Sequence, residues 1–218
     1  MALICGIDEA RRGPVVGPLV ICGALIDEAE IEELRKIGVK DSKLLTPKQR
    51  ESLVSKIKKA LRKYKIIKIE PEEIDKAVQG HEGLNLNWLE ASKSAEILNE
   101  LAPDKAIVDS PSPNLQAYTR HLKKLLKNKK IELNVTHKAE RYPVVAAASI
   151  LAKVTGDNEI KKLQSKIKEP IGSGYPSDPA TKRFIKDNYD KYPDIFRKSW
   201  QPYKKIIKEN QQKKLGEF

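Results

Sequence analysis

ALICGIDEARRGPVVGPLVICGALI, residues 2–26, is the stretch on which the fold turns. Its two apolar halves, 2–8 (ALICGID) and 15–26 (VVGPLVICGALI), are rich in β-branched side chains and broken by Gly-Pro pairs, which predicts two strands opening a sheet. Asp8 and Glu9 close the first strand. Neighbouring strand residues point to opposite faces, so two acids beyond an apolar strand either meet a cation or act as strand-end caps. Working outward, residues 28–37 read as a short acidic helix. Thr46-Pro47 reads as an N-cap followed by an N1 proline, opening a helix to about Lys63. Strands are predicted at 64–69, 105–109 and 131–136, and helices at 71–78, 86–101, 114–128, 143–166, 179–189 and 200–214. The segment Gly172–Pro176 reads as a loop. Strands crowd the first third, and helices and strands then alternate. That order predicts an α/β protein with a mixed sheet, antiparallel first and parallel later, followed by a helical cap or second lobe.

The chain has 218 residues, enough for one core domain with an appendage. Lys and Arg number 42 against 30 Asp and Glu, a formal net charge of +12, with a pI near 9.5 and a mean hydropathy of −0.54. Such a balance points to an anionic partner, most often nucleic acid, or to a solvated Lys-rich surface. Residues 120–130 (RHLKKLLKNKK) carry six cations and no acid, with Leu122, Leu125 and Leu126 on one helical face. Residues 193–206 (PDIFRKSWQPYKKI) set four cations around Trp200 and Tyr203, a mixture suited to phosphates and to sugar or base faces. No apolar run approaches the ~18 residues of a membrane span. MALICGIDEA lacks the basic start of a signal peptide. The two cysteines, Cys5 and Cys22, sit in apolar strands and read as reduced, buried thiols, so a cytoplasmic compartment is expected. Asp109 repeats the pattern of Asp8, an acid closing an apolar strand. Were the two strands neighbours, three carboxylates would converge at one sheet edge. Hard oxygen ligands without His or Cys suit Mg²⁺ or Mn²⁺, and in a basic protein they read as metal-assisted phosphodiester hydrolysis.

GIDEARRGPVVGPLVICGALI resembles the N-terminal signature of ribonuclease HII, and four further segments resemble that family in order: GVKDSKLLTPKQRESL (38–53), KAIVDS (105–110), HKAERYPVVAAASILAKV (137–154) and GSGYPSDPAT (172–181). RKSW (197–200) is similar to the start of its C-terminal helical region, and the phrasing is closest to the archaeal branch. The resemblance implies an RNase H-like mixed β-sheet flanked by helices, with a helical C-terminal extension. It implies an endoribonuclease acting on RNA/DNA hybrids and cutting 5′ to ribonucleotides embedded in duplex DNA, leaving 3′-hydroxyl and 5′-phosphate ends, with Mg²⁺ or Mn²⁺. By the same resemblance Asp8, Glu9 and Asp109 match three of four metal-binding acids. Arg12 and Gly13 match a reader of phosphate and 2′-hydroxyl, the group that separates RNA from DNA. Lys43 matches a lysine facing the phosphate, and Tyr175 a tyrosine stacking on the sugar past the cut. The nucleophile is expected to be metal-activated water, since no Ser, Cys or His is placed for covalent attack; His137 reads equally as a structural residue.

Three positions depart from the family pattern. Arg11 stands where the family has glycine, which predicts a strained positive φ and leaves two outcomes: Arg11 obstructs the substrate backbone or adds a phosphate contact. Weaker activity or a changed junction preference is expected, with the fold intact. His137–Pro143 is one residue short, so either Glu140 serves as the fourth acid or that acid is missing. Gly156 stands where the family has Arg, which costs about 1 kcal/mol of helix propensity against Ala and removes a partner for Asp157. The last seven residues read Gln212-x-x-Leu215-x-x-Phe218, similar to the peptide by which replication proteins bind a sliding clamp. The expected division is therefore 1–168 catalytic, 169–211 helical extension with the Tyr loop, and 212–218 clamp-binding tail, in a monomer with no membrane association. Two readings compete with the nuclease: a catalytically impaired hybrid-binding protein tethered to the clamp, and another RNase H-like nuclease such as a junction resolvase, against which the Tyr175 loop argues.

Overall fold

A computed structural model of the chain describes residues 2–40, 42–80 and 84–215. The strands are β1 (Leu3–Ala10), β2 (Leu19–Asp27), β3 (Lys63–Ile69), β4 (Lys105–Asp109) and β5 (Glu132–Thr136). The α-helices are α1 (Ile31–Ile37), α2 (Pro47–Ala60), α3 (Pro71–Val78), α4 (Leu86–Leu101), α5 (Leu115–Leu125), α6 (Pro143–Ile167), α7 (Pro179–Asn188) and α8 (Gln201–Leu215). By contacts the chain divides into two compact units: Met1–Ala10, Val20–Lys68 and Leu86–Thr155 form the first, and Arg11–Leu19, Ile69–Asn85 and Gly156–Phe218 the second.

The first unit holds a five-stranded sheet in the order β3-β2-β1-β4-β5. β1 runs antiparallel to β2 and parallel to β4, and β4 runs parallel to β5. The sheet is mixed, as the alternation of elements predicts. Two glycines explain how closely helices cover it. Ile7 pairs with Gly23 and Gly6 with Ala24, so the two glycines face opposite sides. A Cβ on Gly6 would lie 2.4 Å from the Val144 carbonyl carbon of α6, and one on Gly23 would lie 2.3 Å from Ile97 Cγ2 of α4. Helices therefore pack on both faces. The Gly6 face buries Ile4, Cys22, Ala24 and Ile26 against the alanine-rich half of α6. Thr46 caps α2 reciprocally with Gln49, and Pro47 occupies the first turn, where its missing N–H costs nothing.

The second unit is built around Val15, Val16, Ile160, Phe184 and Phe196. Phe196 packs its ring against Phe184 (5.9 Å between centroids) and Tyr203 (5.6 Å). Asp75 of α3 accepts from the backbone N–H groups of Lys198 and Ser199, tying that turn down.

Three boundaries differ from the sequence reading. The second strand starts at Leu19 rather than Val15, because Val16 forms an isolated bridge with Phe196 instead. α2 stops at Ala60, short of Lys63, since Leu61 is extended and Lys63 already begins β3. α5 ends at Leu125 rather than 128, where Asn99 donates to the Leu125 carbonyl and accepts from Lys127 N–H. As a result Leu125 is exposed while Leu126, beyond the helix, is buried, so the predicted three-leucine face is not one face. No described helix is long and apolar enough to cross a membrane.

Candidate functional site

Asp8 and Asp109 come together through strand register. Ile7 pairs with Val108 in the parallel β1–β4 ladder, and one residue further on the two acids lie side by side at the strand ends. Asp8 falls on the Gly6 face, toward α6, where Ser149 gives its carboxylate a hydrogen bond. Glu140 enters from a 3₁₀ turn, Ala139–Arg141, which follows Lys138 in the left-handed region at φ 54°. Asp109 Oδ1 accepts from Ala139 N–H at 3.0 Å and so holds this turn in place. Carboxylate oxygens of Asp8, Asp109 and Glu140 all lie within 4.8 Å of one another. The shortened His137–Pro143 segment thus brings Glu140, with its extra methylene, into the group. Glu9 is not part of that group. Strand alternation starts its side chain on the opposite face from Asp8.

Three carboxyls this close repel when ionised. Burial, and then the charges of Asp109 and Glu140, push Asp8 up to about 7 despite the Ser149 hydrogen bond and the Glu9 N–H. Burial also raises Asp109, against the pull of the Ala139 N–H. Glu140 behaves otherwise: burial opposes its charge, but the Lys43 ammonium 2.9 Å away and its own backbone N–H hold it below the usual range. Lys43 itself remains 77% exposed. It rides on a 3₁₀ turn, Ser42–Leu44, pinned from below by residues the sequence reading passed over. Buried Arg50 donates to the carbonyls of Ser42 (3.0 Å) and Leu45 (2.7 Å), and Ser42 shares a 3.0 Å hydrogen bond with Ser149. The one hydroxyl within VVAAASILA was the available signal for Ser149. His137 places Nδ1 3.1 Å from the Ser110 carbonyl, a structural contact. A groove of about 800 Å³ beside Glu140 is lined by Arg35, Lys40, Lys43, Lys138 and Arg141.

The second unit carries the Arg11–Gly13 loop. Arg11 has φ 62°, the left-handed backbone expected from its glycine-like position, at a cost of about 1–2 kcal/mol for a side chain with a Cβ. Its guanidinium is turned inward and only 3% exposed, so it neither obstructs an outer surface nor reaches a phosphate. It lies 3.6 Å from Asp157 Oδ1 and donates to the Ser173 carbonyl at 2.9 Å. Asp157, expected to lack a partner because Gly156 has no side chain, faces Arg11 instead. Arg12 is half-buried and Gly13 exposed, and Tyr175 Cε1 lies 3.7 Å from where a Gly13 Cβ would be. The 193–206 run corrects another expectation. Arg197 is fully buried and donates to the carbonyls of Gly17 (3.0 Å), Arg12 (2.8 Å) and Arg11 (2.8 Å), with Trp200 against its guanidinium. That cation–aromatic pair binds the protein's own backbone. Asp178 caps α7 and accepts from Ser173 N–H at 2.7 Å, completing the Gly172–Pro176 loop. Of the predicted tail, Gln212 is exposed on α8, only the backbone of Leu215 is described, and Phe218 lies outside the described residues.

A family profile described as Ribonuclease HII matches residues 5–203. The chain is 47% identical over 209 residues to Ribonuclease HII of Pyrococcus horikoshii, covering 93% of this chain and 92% of that protein. It is 44% identical to Ribonuclease HII of Pyrococcus furiosus, covering 93% and 90%. Among solved structures, the ribonuclease H2 from Pyrococcus horikoshii OT3 matches with a TM-score of 0.85 at 46% identity, covering 96% of this chain and 99% of that one. The PCNA:RNase HII complex from Archaeoglobus fulgidus matches with a TM-score of 0.82 at 37% identity, covering 99% and 100%. Bst-RNase HIII shares the fold, with a TM-score of 0.81 at 19% identity over 97% of this chain and 71% of that one.

Proposed function

The chain belongs to the ribonuclease HII family of endoribonucleases, and from that premise we propose that it hydrolyses RNA in RNA/DNA hybrids and cuts 5′ to ribonucleotides embedded in duplex DNA, leaving 3′-hydroxyl and 5′-phosphate ends. The observation that carries the chemistry is the group formed by Asp8, Asp109 and Glu140. Its donors are all hard oxygens, and burial, with the charges of Asp109 and Glu140 added, raises Asp8 to about 7; both features fit Mg²⁺ or Mn²⁺. Those three residues would hold the cation, with Glu9 as a fourth ligand on the strength of the family resemblance. A divalent cation in such a cage supplies activation of water and stabilisation of the leaving oxygen.

The chain's own residues do the rest. Lys43 offers an exposed ammonium to the scissile phosphate while keeping Glu140 ionised. The main chain at Arg12 and Gly13 approaches the phosphates and the 2′-hydroxyl, with no Cβ at Gly13 to hold the strand off. Tyr175 stacks on the sugar past the cut. Cations lining the groove beside Glu140 favour a polyanion there. Within this reading residues 1–168 are catalytic, 169–211 form the substrate-side extension, and the protein acts as a cytoplasmic monomer. Residues 212–218 dock on a sliding clamp through Gln212, Leu215 and Phe218, a reading supported by the clamp complex of the Archaeoglobus relative. The position of Glu140 within the carboxylate group favours the active enzyme over an impaired hybrid binder.

The test is cleavage of a labelled DNA duplex holding one ribonucleotide, beside an RNA/DNA hybrid, in Mg²⁺, Mn²⁺ or EDTA. A metal-dependent cut 5′ to the ribonucleotide is expected. Salt-sensitive binding without cutting under every metal would replace this reading with the hybrid binder. Cutting of all-DNA duplexes would replace it with the junction nuclease.

A further inference from the structure

Among the described residues, Arg11, Ala102, Lys138 and Lys168 are the non-glycine residues with positive φ. Ala102, Lys138 and Lys168 are exposed, and Arg11 alone is buried. A left-handed backbone and a desolvated cation at one residue are both unfavourable, so what the side chain touches is the informative question. It touches the Tyr175 loop and the helix beside it. One guanidinium nitrogen donates to the Ser173 carbonyl at 2.9 Å, and the other faces Asp157 at 3.6 Å. The guanidinium carbon stands 5.6 Å from the centroid of the Tyr175 ring, within cation–π range. The loop closes so tightly on it that a Cβ at Gly174 would lie 2.6 Å from Arg11 Nη2. The Gly174 carbonyl in turn accepts from Val15 N–H at 2.9 Å.

We propose that Arg11 is a positioning residue whose buried guanidinium latches the Ser173–Tyr175 turn, so that the Tyr175 ring is preset beside Gly13 before substrate arrives. Its backbone is bent as glycine's would be, while its side chain reaches inward to supply the cation that faces Asp157. Arg11 thus shapes recognition without touching substrate, and it acts through Tyr175. The inference rests on the reading of Tyr175 as the sugar-stacking residue.

The experiment compares Arg11→Met, Arg11→Lys, Asp157→Asn, Tyr175→Ala and the Arg11→Met/Tyr175→Ala double variant. Two readouts are used: kcat and KM on a DNA duplex with one ribonucleotide, and amide hydrogen exchange at residues 173–175 in the substrate-free protein. Arg11→Met is expected to raise KM about tenfold with kcat within about twofold, and the double variant to be no worse than Tyr175→Ala, because residues acting as a unit are non-additive. Exchange at 173–175 should quicken about tenfold while β1 and β4 are unchanged. Arg11→Lys and Asp157→Asn should fall between wild type and Arg11→Met in both readouts, which keeps the test decisive if Arg11→Met folds poorly. Additive losses in the double variant, or unchanged exchange at 173–175, overturn the latch. If the wild-type protein cuts no ribonucleotide-containing duplex, the nuclease reading fails, and the exchange arm alone decides the latch.

Discussion

The carboxylate group of Asp8, Asp109 and Glu140 and the loop from Arg11 to Gly17 face opposite electrostatic problems. The first gathers like charges and leaves them incompletely compensated: Lys43 answers Glu140, while Asp8 is raised to about 7. The second buries two guanidinium groups and turns them onto internal partners, Arg197 on three backbone carbonyls and Arg11 on Ser173 and Asp157, with Arg11 Nε left without a hydrogen-bond partner. Clustered carboxylates with so little compensation suit a divalent cation. Guanidinium groups turned onto the protein's own backbone hold a shape. In the proposed function chemistry therefore falls to the first region and preorganised recognition to the second, although Asp8 and Arg11 are separated by only Glu9 and Ala10 in the chain.

The sharpest way to break that contrast is Arg197→Ala. It leaves the carbonyls of Gly17, Arg12 and Arg11 without their donor, and a loss of about 3–5 kcal/mol is expected, as when one member of a buried charged network is removed. Chemical denaturation measures it; a change under about 1 kcal/mol would mean that the loop does not depend on this residue. Asp109→Asn should act in the opposite sense on the other region. Cleavage should fall by at least ~100-fold, or about 3 kcal/mol of barrier, while the metal-free protein should melt higher because a like charge is gone. Unchanged cleavage would remove Asp109 from the metal site.

A third prediction concerns pH. Asp8 titrates near 7 in the folded chain against an ordinary value of 3.8, so between those values the folded state holds a proton that the unfolded state has released. Stability of the metal-free protein should therefore fall as pH rises from about 4 to 7, by roughly 2 kcal/mol and at most about 4. Glu140, held low, contributes stability that is present above its ordinary value of 4.5 and is lost as pH falls from there through its folded value. Melting temperatures at pH 5.5 and 8 in EDTA check the sign, and Mg²⁺ or Mn²⁺ should narrow the difference by stabilising the ionised site at pH 8. A melting temperature that climbs with pH in EDTA contradicts the raised Asp8. Ser149→Ala gives the smallest effect, about 1 kcal/mol, with the Asp8 titration moved further up, as ¹³C NMR of the carboxyl would report.

How much of this was legible beforehand differs between the two regions. Asp8 and Asp109 could be found from sequence because an acid closing an apolar strand is a local pattern, and strand register needs only the neighbour relation of β1 and β4. The Thr46-Pro47 start of α2 was legible for the same reason, since capping acts over one turn. The inward course of Arg11 was not. A positive φ could be anticipated from its glycine-like position, but the direction of the side chain depends on Ser173 and Asp157, more than 140 residues away in the chain.

The sequence by itself determined the order of elements, the mixed α/β class, two of the three clustered acids and the family. Those properties rest on local periodicity, turn chemistry and contiguous motifs. Only the tertiary structure decided that Glu140 joins the cluster, that Glu9 lies outside it, and that Arg197 and Arg11 serve the protein's own loops rather than phosphates. For Glu140 and the two arginines the deciding contact is between groups distant in sequence: the Asp109 carboxylate on the Ala139 amide, and a guanidinium on carbonyls up to 186 residues away. A charge's role depends on whether it is buried with partners or left in water, and packing sets that.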